Sequence, residues 1–147
     1  MTPLQTFGVS IEDSVIWRLQ QLGYDPDIPL SRVQQGADLT VNDIPLHVKA
    51  ARRKPHKAGK NRWSSRYQFN FRNVDTTTDG FIIAVCVSYA DYTYFIIPTW
   101  LARRELKIVS DPREYRGWAS EYRGKWDLIK NFDVTWPTVI YLTPSNC

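Results

Sequence analysis

Apolar and polar positions alternate with two different periods along the chain, and the change of period marks the elements. Ile11, Val15, Leu19 and Leu22 fall within an arc of about 80° at helical spacing, and Ile16 widens it to about 140°. Ser10-Ile11-Glu12-Asp13 resembles a capping box, so a helix is predicted from Ser10 to about Leu22, with Gly23 as its left-handed stop. From Ala37 the period shortens to two. Ala37 to Val41 and Ile44 to Ala51 are short β-rich runs joined by Asn42-Asp43, the pattern of a hairpin. Trp63 to Arg72 alternates again, with Tyr67, Phe69 and Phe71 set against Arg66, Gln68, Asn70 and Arg72. Phe81 to Val87 is continuously apolar, as in a central strand covered on both faces, and Tyr92 to Pro98 follows after a short turn.

The remaining stretches read as connections and short helices. Tyr24 to Gln35 is predicted as loop, with Pro26-Asp27 as turn chemistry. Thr99 caps a short helix predicted through Leu106, and a second is predicted near Ala119 to Phe132. The fold class expected is α/β bordering on α+β, with a mixed five-stranded sheet flanked by helices. A chain of 147 residues is expected to form one domain, with a core over about residues 10–105 and an extension over 106–147.

Charge distribution changes the picture more than net charge does. The formal charge is +4, yet nine Lys and Arg and no Asp or Glu lie between Ile44 and Val74. The rest of the chain is acidic on balance. One basic region on an otherwise acidic protein points to a polyanion partner, although a solvated loop of ordinary lysines gives the same composition. Arg52, Arg53, Lys54, Lys57, Lys60 and Arg62 flank Pro55 and Gly59 in what reads as a mobile loop suited to tracking phosphates, with Arg66 beyond it. Arg113, Arg116, Trp118, Tyr122, Arg123, Lys125 and Trp126 form a second basic-aromatic cluster, for which packing of the aromatics into the core is the simpler account. Cys86 and Cys147 have no zinc-ligand spacing, and neither a secretory leader nor an apolar stretch of membrane-spanning length is evident. The expectation is a cytoplasmic protein with no disulfide framework and no membrane partner.

Three residues stand out chemically. Glu12 falls inside the apolar arc of its helix, where a carboxylate must be solvated, paired or bound to a cation. A first-turn glutamate that favours the helix dipole and reaches round to water satisfies the same position. Asp38 opens the first strand of the hairpin. Lys49 lies between Val48 and Ala50 on the second strand, projecting the same way as His47. It suits a role in orienting water and offsetting negative charge, or equally in guarding an edge strand against aggregation.

These residues resemble the PD-(D/E)XK nuclease superfamily. The likeness comprises Glu12 in the first helix, Asp38 at a strand start, and His47-Val48-Lys49 on the next strand. The polar-aromatic strand Arg66 to Arg72 follows, and then Asp79 to Val85 and Tyr94 to Pro98. It is nearest to the small branch that contains group I intron homing endonucleases, and it covers about residues 10–105. The resemblance implies a Mg²⁺- or Mn²⁺-dependent DNA endonuclease, a homing or restriction-like enzyme, acting on duplex DNA as a homodimer or homotetramer. It implies that Asp38, Glu12 and the main-chain carbonyl of Val48 hold the metal, with His47 as a further participant. Lys49 then orients the attacking water, and Gln68 orients Lys49 or a water. Two positions depart from the family pattern. Ala37 replaces the motif proline, and His47 replaces the expected acid two residues before the lysine. Imidazole is a poor Mg²⁺ ligand and suits Mn²⁺, Fe²⁺ or Zn²⁺ better. The intron-associated branch accepts a neutral Gln there, and a first-helix glutamate contributes to its site, a role that passes to Glu12. The rival readings are a nuclease-fold DNA-binding protein that no longer cuts, with His47 as the mark of lost chemistry, and a structure-selective junction resolvase.

Overall fold

The computed structural model describes residues 3–28, 38–59, 62–74, 79–88, 91–102, 105–109 and 111–132. Helix α1 spans Pro3–Gln21, beginning seven residues before the predicted cap at Ser10. Proline suits a helix start because the N–H it lacks has no intrahelical partner there. The end is where Gly23 predicts it. Gly23 has φ +90°, Gly23 N donates to Gln20 O and Tyr24 N donates to Leu19 O, the paired bonds of a Schellman stop. Leu22 consequently lies beyond the helix and is exposed rather than part of the apolar stripe.

A five-stranded mixed sheet has the order β1 (Pro26–Asp27), β2 (Leu39–Val41), β3 (Ile44–Arg52), β6 (Phe81–Val87), β7 (Tyr92–Pro98). Only the β3–β6 pairing is parallel. Pro26-Asp27 thus forms a short edge strand on Thr40 and Val41, not a turn. A proline is tolerated on an edge because its missing N–H costs no ladder bond.

The two faces of the sheet carry different covers. Leu46, Phe81, Ile83, Val85 and Ile96 face Ile11, Val15 and Leu19 of α1, together with Trp126 and Ile129. Ile82, Ala84, Cys86, Phe95 and Ile97 face Tyr67, Phe69, Leu106 and Ile108. Each such fully buried aliphatic or aromatic side chain contributes about 1.5–3 kcal/mol. Among the described residues, the predicted flanking by helices therefore holds on one face. The other face is covered by a second sheet of three strands, β4 (Lys54–Gly59), β5 (Arg62–Phe69) and β8 (Leu106–Ile108).

That second sheet overturns two expectations. The basic stretch read as a mobile loop is a β-hairpin in which Lys54 pairs with Arg66 and Lys57 with Trp63, with a bulge near the tip. Of the helix predicted through Leu106, the described residues form a 3-10 turn at Thr99–Leu101, and Leu106–Ile108 is strand paired to β5. A capping threonine at Thr99 is local information. Burial of Leu106 and Ile108 against β5 and the sheet outweighs it.

The helix predicted over 119–132 is also broken, into a 3-10 turn at Ser120–Tyr122 and a short α2 at Asp127–Lys130. Gly124, with φ +65°, separates them. The basic-aromatic cluster there is largely structural. Trp126 is buried, and the Arg123 guanidinium donates to Pro112 O and Tyr115 O while lying 5.7 Å from the Phe95 ring centroid. Arg113 clasps the Asp111 carboxylate, holding its pKa well below the usual range. Cys86 is a buried free thiol, whereas Cys147 lies outside the described residues. No helix among the described residues is long and apolar enough to cross a membrane.

Candidate active site

The β2–β3 hairpin positions the candidate site. Asn42 and Asp43 both have positive φ, 51° and 66°, the conformation of a two-residue turn whose twist matches its strands. The turn sets the register Val41↔Ile44, Thr40↔Pro45 and Leu39↔Leu46, so Asp38 comes level with His47. β2 ends there, but β3 continues for five residues beyond His47. The next N–H on that open edge belongs to Val48, and Asp38 Oδ2 accepts from it at 2.7 Å. Asp38 N in turn donates to Leu46 O at 3.0 Å. A charge-assisted bond thus completes an edge that the neighbouring strand leaves open, and it fixes the carboxylate beside β3.

The same geometry bears on the main chain. In an extended strand the N–H and C=O of one residue point to the same edge. Since Val48 N points to Asp38, the Val48 carbonyl points to that side too. A carboxylate and a carbonyl at one edge form a pair of hard oxygen donors of the kind Mg²⁺ takes. Mg²⁺ commonly accepts only one or two protein carboxylates and fills its octahedron with water and phosphate oxygens, so this donor set fits it.

The other candidates divide between the faces. His47 and Lys49 stand level with Ile82 and Ala84 of β6, on the face covered by β5 and β8. His47 is buried, with 6% of its surface exposed, and Lys49 is half-buried. Glu12 is half-buried on α1, which covers the opposite face. No three His, Cys, Asp or Glu side chains gather into a metal-holding group among the described residues. Glu12 and His47 lie toward opposite faces of the sheet, so Glu12, Asp38 and His47 do not gather into one such group among the described residues. Asp38 stands level with His47 and bonds along the strand to Val48 N.

Gln68 is not brought to Lys49. Tyr67 and Phe69 turn inward to the core that Lys49 borders, which directs Gln68 between them outward, and its Nε2 donates to Glu105 Oε1 at 2.7 Å. Alternation along the strand already implied that outward direction. The acceptor, 37 residues away, was not legible.

Arg52, Arg53 and Lys54 are exposed and Arg66 is half-buried. Lys60 lies outside the described residues, as do the side chains of Lys57 and Arg62. β3 runs through Arg53 directly into β4, so Lys54 lies about 17 Å along the strand from Lys49 at strand spacing. Lys54 and Arg66 are directly opposed across the ribbon. Like charges at such a pair destabilise a hairpin unless an anion lies between or over them.

No family model and no curated protein matches the sequence. Among solved structures, the chain is similar to a bacterial homing endonuclease, I-Ssp6803I, at 19% sequence identity and a TM-score of 0.60. The match covers 90% of this chain and 94% of that one. Over nearly its whole length, the chain has the fold of that homing endonuclease.

Proposed function

We propose that this chain is a metal-dependent endodeoxyribonuclease of the PD-(D/E)XK type, related in activity to homing endonucleases. The observation that carries the proposal is the Asp38 carboxylate held at 2.7 Å on Val48 N, one residue before Lys49. The shared fold supports it. Asp38 and the Val48 carbonyl would hold Mg²⁺ or Mn²⁺, with Glu12 contributing from α1. The bound cation would supply Lewis-acid stabilisation of the phosphate. Lys49 donates a hydrogen bond to the attacking water and offsets the negative charge that builds on the phosphorane oxygens. The basic β4–β5 ribbon holds duplex DNA, since a two-stranded ribbon fits the major groove and cations on it neutralise phosphates. One chain offers one such site, so cutting both strands takes a homodimer or homotetramer.

A second reading is favoured by the burial of His47 where the family carries an acid: a DNA-binding protein that has lost cutting. Incubation of supercoiled plasmid with the protein in Mg²⁺ or Mn²⁺, beside Lys49→Ala, separates the two. The nuclease reading expects nicking by the wild type and a loss of about 10²–10³-fold in the variant, the usual effect of removing one transition-state donor. DNA binding without nicking in either metal selects the second reading. Cleavage confined to a four-way junction would make the protein a resolvase.

A further inference from the structure

The outer face of the three-stranded sheet continues the ribbon toward a second set of polar groups. Lys54 opposes Arg66, and one step along β5 Gln68 opposes Lys107 of β8. Arg66 and Gln68 are two residues apart on one strand, so all four side chains share a face. Tyr67, Phe69, Leu106 and Ile108 take the other side, in the core. The shared face is therefore the solvent face.

One acid is set into this face. Glu105 Oε1 accepts from Gln68 Nε2 at 2.7 Å, and Glu105 Oε2 lies 3.6 Å from Lys107 Nζ. The Trp118 indole N–H donates to Glu105 O at 3.3 Å, which anchors the residue's backbone beside the strand. Each carboxylate oxygen thus engages a different donor, the arrangement in which a phosphate would engage them with two of its own oxygens. Both Lys107 and Glu105 are about half exposed, 46% and 53% for their side chains. Exposed pairs of this kind are worth little, so exchange for a phosphate is cheap.

We infer that this face is a second backbone-binding surface for nucleic acid, and that Glu105 is an internal competitor that occupies Gln68 and Lys107 until a phosphate displaces it. The inference rests on the DNA-binding half of the proposed function and is independent of cutting. Its effect is to weaken binding to duplexes that do not seat the backbone correctly on the sheet. Such a device raises discrimination at the expense of affinity.

Fluorescence anisotropy with a labelled random-sequence duplex, without divalent metal and over a range of NaCl, tests it. Glu105→Gln keeps the hydrogen-bonding shape and removes the charge; it is expected to bind several-fold more tightly. Lys107→Ala is expected to bind more weakly, with a salt slope smaller by about one. Unchanged affinity and slope in both variants, while Arg53→Ala/Lys54→Ala binds more weakly, would overturn the inference and leave DNA binding by the ribbon standing. If neither the wild type nor any variant binds the duplex, the DNA-binding reading itself falls and this inference with it. Thermal unfolding of each variant checks that a change in binding is not a change in folding.

Discussion

Asp38 and Val48 are joined by a 2.7 Å hydrogen bond from main-chain N–H to carboxylate, at the point where β2 stops and β3 runs on beside β6. One side chain therefore does two jobs. It closes an open sheet edge, and it presents an oxygen beside the strand that bears Lys49. These jobs separate by substitution. In Asp38→Asn the amide oxygen still accepts from Val48 N, so stability changes little while metal-dependent nicking is lost. Asp38→Ala removes the acceptor and costs about 1–3 kcal/mol as well. Denaturant unfolding and plasmid nicking measured together check both arms. Wild-type nicking by Asp38→Asn would remove the carboxylate from the chemistry.

His47 is buried on the face opposite α1. His47→Glu introduces the acid that the proposed nuclease motif expects there, but places a carboxylate where little water reaches. The expected result in metal-free buffer is a loss of stability on the order of 3 kcal/mol, the size of an uncompensated buried charge. Added Mg²⁺ recovers part of that loss by binding the folded state, and Mg²⁺-dependent nicking is retained or increased. A melting temperature indifferent to Mg²⁺ would show that this position does not reach the ion.

Buried Gly80 and exposed Gly23 separate close approach from backbone strain. A Cβ on Gly80 would meet Pro45 O at 2.3 Å and Pro45 Cγ at 2.9 Å, whereas one on Gly23 would meet nothing within 4 Å. Gly80→Ala must therefore push β6 away from the start of β3, costing about 1–3 kcal/mol and lowering nicking if β3 carries the proposed site. Gly23→Ala, at φ +90°, costs about 1–2 kcal/mol through its backbone alone and leaves nicking unchanged. Thermal unfolding with parallel nicking assays distinguishes the pair.

Burial pushes the Cys86 thiol up to about 12. Its folded pKa lies above its unfolded value of about 8.5, so its contribution to stability is intact below that value. As pH climbs from there toward 12 the unfolded chain ionises and the folded one does not, and stability falls. Denaturant midpoints across that range are expected to decline less in Cys86→Ala than in the wild type. At pH 8, alkylation of Cys86 is expected to be slow in the folded protein and fast in denaturant.

Much of the frame was legible because its causes are local. Alternation over Tyr67, Phe69 and Phe71 is reproduced as three buried aromatics, and the continuous apolar run Phe81–Val87 is the strand paired on both sides. The helix start was missed because Ser10-Ile11-Glu12-Asp13 offers a cap within a stretch that is already helical. The basic hairpin was missed because its sequence lacks a strong two-residue turn signal and carries Pro55 and Gly59, which read as loop. What holds it in strand form is the pairing of β5 with β8, some 40 residues on.

By itself the sequence determined the hairpin register. Two turn residues able to adopt positive φ, flanked by alternating strands, bring Asp38 level with His47 whatever the rest of the chain does. It also determined that His47 and Lys49 share a face, since side chains alternate along any strand. Which face that would be, and what would cover it, only the tertiary structure decided. α1 went to one side of the sheet and the β5–β8 pair to the other, parting Glu12 from His47 and turning Gln68 to Glu105. Those outcomes depend on contacts between residues far apart in the chain, and their free energies come from burial that no local pattern records.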